Sequence, residues 1–167
     1  MIIKEIKTIK SIPDIIKSLY YGSNHYIDKS INNSNKMNII DKKYEYYINI
    51  HYAILEKLKN GLYSDAISSD NIYNDYSDEC IKLGYKDLEI APFIIQWQKE
   101  LATAQKREYV PLNYGSSKYL INILKKQNKI EDAIEVCDKY IELGLIDDGT
   151  KGGIIKRKES LLNLLKK

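Results

Sequence analysis

The chain has 167 residues, 44% of them hydrophobic and 29% charged, with 26 Lys and Arg against 23 Asp and Glu. That length suits one domain able to bury a core without disulfide or metal staples, and a net charge of +3 is too balanced to mark a nucleic-acid protein by bulk charge. No apolar run approaches the roughly 20 residues of a membrane span, and lysines interrupt the start MIIKEIKTIK where a signal peptide needs its apolar stretch, so the expectation is a cytoplasmic protein without a membrane role.

Apolar spacing is helical rather than alternating along most of the chain, and no strand is assigned. Ile2, Ile6 and Ile9 share one helical face, compatible with an amphipathic turn or a short strand. A short helix is expected from Pro13 through Ile15, Ile16 and Leu19 to Gly22, and the polar run Asn32 to Asn38 reads as loop. This divides the chain into an N-terminal segment, 1–40, and a helical domain, 41–167.

From Asp41, read as an N-cap, Tyr44, Tyr47, Ile48, His51, Ile54, Leu55 and Leu58 recur at helical spacing up to Gly61. A second helix is expected from Ser64 to Leu83, with Ala66, Ile67, Tyr73, Cys80 and Ile81 inward, Gly84 as its C-terminal cap, and a weak middle at Ser68 to Asn74. A third runs from Ile90 to Lys106, placing Phe93, Ile94, Trp97, Leu101 and Ala104 on one stripe with Pro92 in its first turn. After Pro111 come a helix carrying Tyr119, Leu120, Ile123 and Leu124 and another carrying Ala133, Ile134, Cys137, Ile141 and Leu143 up to Gly144. Their short connection, Gln127 to Ile130, makes them an αα-hairpin. A final helix from Ile154 to Leu165 should turn Leu161, Leu162 and Leu165 inward.

Two stretches align without a gap at an offset of 67: YAILEKLKNGLYSDAI from Tyr52 to Ile67 and YLINILKKQNKIEDAI from Tyr119 to Ile134. Each ends a helix with lysine and a turn residue and opens the next with Asp-Ala-Ile, and each second helix is expected to end in a Leu-Gly cap. The offset is close to twice a 34-residue unit, leaving room for a third hairpin at Trp97.

On these residues, Ser117 to Leu143 resembles a tetratricopeptide repeat: Ala133 stands where that family has a small residue opening the second helix, Leu120 where the first helix has its leucine, and Cys137 where an aromatic or apolar residue follows. Ile121 and Tyr140 depart from the pattern, standing where glycine and a small residue are usual. The ending from Gly149 to Leu165 is similar to the closing helix of bacterial repeat proteins. The resemblance implies an all-α fold in which antiparallel helical hairpins stack as a short solenoid with a capping helix. It places Lys118, Asn122 and Lys125 on the concave surface, in positions similar to part of a peptide-carboxylate clamp, with His51 and Leu55 at the earlier copy.

No Ser-His-Asp order, Walker loop, Rossmann glycine pattern or paired metal-ligand spacing is present, so neither catalysis nor a cofactor is expected. His25 and His51 read as loop and packing residues, Cys80 and Cys137 as small buried thiols, and Gly149-Thr150-Lys151-Gly152-Gly153 as a helix-capping turn. The acidic run Glu131 to Asp148 reads as a solvated helix face, and the basic end, with Lys151, Lys156, Arg157 and Lys158, as its pairing partner or a nucleic-acid contact. Among fifteen tyrosines, Tyr46 should be exposed if Tyr47 faces inward, and it joins Lys118, Asn122 and Lys125 as a candidate contact. The expectation is a non-catalytic bacterial or phage adaptor binding an acidic protein or peptide segment. The alternatives are a regulatory or nucleic-acid-associated protein, or a small phage- or plasmid-borne inhibitor of a host complex.

Overall fold

The computed structural model describes residues 35–68 and 70–166, and within them every regular element is helical. The expectations for Ile2 to Ile9, the helix from Pro13 and His25 lie outside those residues. The first helix described, α1, spans Asn35–Lys57 and so begins ahead of Asp41, overturning the loop reading from Asn35 to Asn38 and the capping role of Asp41. Tertiary packing decides this: Ile40 lies on the core, and the buried Asp41 carboxylate accepts the Trp97 indole Nε1–H at 2.8 Å.

A wide π turn at Leu58–Leu62 breaks the helix, with Gly61 at φ 123°, and leads into α2, Tyr63–Ser68. Chain direction changes again in the weak stretch foreseen after Ser68. Asn74 then caps α3, Asp75–Ala104, its side-chain oxygen accepting from the Ser77 N–H at 2.9 Å.

Helix α3 corrects the expectation of one helix ending at Gly84 and another beginning at Ile90. It continues through Gly84 and Pro92 for 30 residues, roughly 45 Å at 1.5 Å per residue. Gly84 is not a cap: a Cβ there would lie 2.7 Å from the Leu120 Cβ, so its missing side chain admits the next helix. An interior proline costs about 3 kcal/mol, and packing of Ile90, Ala91, Ile94 and Ile95 on both sides of Pro92 outweighs it. Tyr44 meets Glu100, Asp41 meets Trp97, Tyr47 meets Phe93, His51 meets Asp87 and Lys57 meets Glu79. As the α1 number rises the α3 number falls, so the two helices run antiparallel along nearly their whole length.

Helices α4, Ser117–Lys126, and α5, Ile130–Glu142, pack together through the turn Gln127–Lys129 as the expected αα-hairpin. Gly144, at φ 75°, ends α5, its N–H donating to Ile141 O at 2.9 Å while Leu145 N–H donates to Tyr140 O at 2.9 Å. The last helix, α6, Gly153–Leu165, packs on α5. Its core stripe is Gly153, Ile154 and Leu161, whereas Leu162 and Leu165 are 38% and 51% exposed, against expectation. An end helix resting chiefly on one neighbour buries one narrow stripe, and these leucines lie outside it. Phe93 and Tyr73, also expected inward, face outward at 42% and 59% exposure.

The larger core lies among α1, α3, α4, α5 and α6, with Trp97, Tyr114, Leu120, Leu124, Val136 and Tyr140 buried in it. A smaller one fills the junction of α1, α2, α3 and α4 around Leu58, Ala66, Cys80 and Ile123. Gly84→Ala should test the α3–α4 approach. Alanine favours a helix by about 1 kcal/mol, but forcing its methyl against Leu120 should cost about 1–3 kcal/mol, so urea unfolding should show a net loss of stability.

Candidate basic cleft between α4 and α6

On α4, Lys118, Asn122 and Lys125 follow one helical face, as the spacing requires, but the structure gives them different work. Lys118 is half-buried with its ammonium 5.3 Å above the Tyr119 ring. Asn122 is tied on both sides: its Nδ2 donates to the Tyr63 hydroxyl at 3.0 Å and its Oδ1 accepts from Arg157 Nη1 at 3.0 Å. Lys125 is exposed. Tyr46 belongs to another surface, on α1, where it meets Tyr47 edge-on at 5.2 Å and Tyr47 stacks on Phe93 at 4.0 Å. It is exposed, as expected, and has no part in the α4 site.

Facing α4 across a cleft of about 230 Å³ stands the turn that opens α6. Asn122 and Lys125 form one wall, Thr150, Lys151 and Lys156 the other, and Arg157 and Ser160 border them over an apolar floor that includes Ile121 and Leu161. Among the described residues no carboxylate lines it. Lys125, Lys151 and Lys156 form no ion pair among the described residues. A neighbouring hollow at the α4–α5 turn differs, since Glu131 and Asp132 line it together with Lys125 and Lys129.

The glycines of the turn are structural requirements. Gly152 caps α6 at φ 88°, and a Cβ on Gly153, at φ 53°, would lie 2.1 Å from the Ile146 carbonyl oxygen. Buried Asp148 accepts from Thr150 N–H at 3.0 Å and from Arg157 Nε, and so joins the turn to α6. Burial opposes its ionisation, but the Thr150 and Arg157 hydrogen bonds and the guanidinium charge outweigh that and hold Asp148 below its ordinary range. The capping-turn reading therefore stands. The basic end does pair with acids as expected, through Arg157 with Asp148 and Lys158 with Asp138 of α5, but Lys151 and Lys156 are left over.

A second polar group lies in the core. Asp87, fully buried on α3, accepts from His51 Nδ1 at 2.8 Å and from the Ser116 hydroxyl, while Tyr114 donates to its backbone oxygen at 3.1 Å. The His51 ring also stacks on Tyr114 at 4.6 Å. Tyr140 is buried beside Ser116 and Asp87 without a well-formed hydrogen bond, and desolvation pushes its hydroxyl up. Asp87 stands between the serine and the histidine, so Ser116 is bonded to the acid rather than to a base, and all three side chains are buried. The arrangement joins α1, α3 and the segment before α4 and lacks the nucleophile–base contact of acyl transfer.

The sequence named Asn122 and Lys125, and their partners across the cleft were visible only as a basic C-terminal segment. Asp87, Tyr114 and Ser116 were not singled out, because a buried acid in a helix looks like any surface acid until its neighbours are known. No protein-family model, curated protein or solved structure matches this chain.

Two measurements check this electrostatic reading. A carboxyl lowered in the folded state contributes stability above its unfolded value, near 3.8 for Asp148, and loses it as pH falls through the folded value. Arg157→Met should therefore cost about 3–5 kcal/mol at pH 7, with the gap from the parent protein closing below about pH 4. Burial also pushes the Cys80 thiol up to about 12 and Cys137 to about 11. Thiol reagents at pH 8 should label either only as fast as the chain opens.

Proposed function

We propose that this chain is a non-catalytic interaction protein, built from tetratricopeptide-like hairpins, that receives an acidic segment of a partner protein in the cleft between α4 and α6. The observation that carries the reading is the positive charge of that cleft, where Lys125 faces Lys151 and Lys156 across the hollow and, among the described residues, no carboxylate lines it. Leaving like charges together and unpaired raises the free energy of the unliganded protein slightly, and an anionic partner relieves it. Lys118, further along α4, extends the positive field toward the incoming chain.

The hairpin reading draws support from backbone conformation at the 67-residue offset: Gly61 and Asn128 both take positive φ, 123° and 59°, and Ala66 and Ala133 are both fully buried. Two turns of different sequence thus each place a positive-φ residue five positions before a small residue that packs the second helix. Helix order agrees with successive packing, since α3 lies on α1 and α2, α4 on α3, α5 on α4 and α6 on α5.

The test is fluorescence anisotropy with a labelled glutamate-rich peptide. Binding should weaken as salt rises, and Lys125→Glu with Lys156→Glu should lower affinity more than tenfold without changing helicity. Lys82→Glu, on α3 away from the cleft, should leave affinity within about twofold. Equal binding by the folded double variant would rule out the cleft and turn attention to Tyr46, Tyr47 and Phe93.

A further inference from the structure

We infer that the acidic group seated in the α4–α6 cleft is a phosphorylated side chain of the partner protein rather than a carboxylate. This rests on the cleft being the acidic-segment site and specifies what it holds. A free arginine fork would donate two parallel hydrogen bonds to a carboxylate or a phosphate alike, so it is the remaining cations that decide between them. The arginine at this cleft is already committed: Arg157 donates through Nε to Asp148, through Nη1 to Asn122 Oδ1 at 3.0 Å, and through Nη2 to Thr150 Oγ1 at 3.4 Å. Its fork holds the wall together and is not on offer to a ligand.

The donors that remain are of another kind. Lys125, Lys151 and Lys156 present ammonium groups, compact charges that bind without a planar geometry, while the Ser160 hydroxyl is already donated to the Lys156 carbonyl at 2.9 Å. Several point charges around one small hollow suit a single dense anion with three oxygens and close to two negative charges, which is the phosphate of a modified serine or threonine. Glutamates spread along a peptide would place one charge in the hollow and the others beyond it. A nucleic-acid strand is a poorer fit, because it needs basic groups repeated along a path with aromatic rings between them, and among the described residues no aromatic side chain lines this cleft.

The full chain, labelled with ¹⁵N, is titrated at fixed ionic strength with four probes: a blocked phosphoserine peptide, the same peptide with glutamate in that place, inorganic phosphate and an oligothymidylate. The inference expects the phosphoserine peptide to bind at least tenfold more tightly than the glutamate peptide, to move the amide signals of Gly152, Gly153 and Lys156, and to lose at least tenfold in affinity with Lys125→Ala and Lys156→Ala. Lys151→Ala alone should show a smaller loss in the same direction and serves if the double variant does not fold. Equal binding of the phosphoserine and glutamate peptides overturns the phosphate preference and leaves the acidic-segment reading standing. Inorganic phosphate binding as tightly as the peptide overturns the protein-segment source, and tighter oligothymidylate binding assigns the cleft to nucleic acid. Failure of every probe to bind the folded chain overturns both readings.

Discussion

One buried acid organises the larger core. Asp87 sits on α3 with no exposed surface, and its carboxylate is bonded by His51 of α1 and by Ser116 at the entry to α4. A polar group held out of water costs free energy unless it is hydrogen-bonded, so these bonds fix the positions of α1 and α4 relative to α3. The influence extends further through Tyr114, whose hydroxyl donates to the Asp87 backbone and whose N–H donates to Asp147 O at 2.8 Å. Asp147 adjoins the turn that opens α6, so the wall of the basic cleft is connected to the core through two hydrogen bonds of one residue.

Along α3, direct polar contacts alternate with close packing. Trp97 bonds Asp41 near one end and Lys57 pairs with Glu79 near the other, with Gly84 letting Leu120 in between. This division explains why a helix carrying both a glycine and a proline remains continuous. Local propensity disfavours each by about 1 and 3 kcal/mol, and contacts with α1 and α4 on successive turns of α3 supply more than that.

Near α6, each charge has one of two roles. Arg157 and Lys158 are bound to Asp148 and Asp138 and hold the helix to its neighbours. Lys151 and Lys156, next to them in sequence, have no such partner among the described residues and line the cleft with Lys125. Because the turn at Gly152 and Gly153 is fixed by positive φ and by contact with the Ile146 carbonyl, those lysines stand on a preformed wall, and a ligand would not have to pay for ordering its backbone.

The sequence by itself determined that this is a helical chain, where the α4–α5 hairpin lies, that Trp97 and both cysteines are buried, and that Gly149 to Gly153 opens the last helix. Each of these follows from spacing over neighbouring residues, which a single sequence records directly. It misjudged Gly84, Asp41 and two of the α6 leucines, Leu162 and Leu165, because a glycine that ends a helix and one that admits a neighbouring helix look alike, as do a capping aspartate and one bonded to a distant indole. Only the tertiary structure decided that α3 is continuous, that Asn122 is held by Arg157 and Tyr63 instead of standing free, and that Lys125 meets Lys151 and Lys156. Those facts depend on residues 26 or more positions apart coming together, and no local periodicity carries that information.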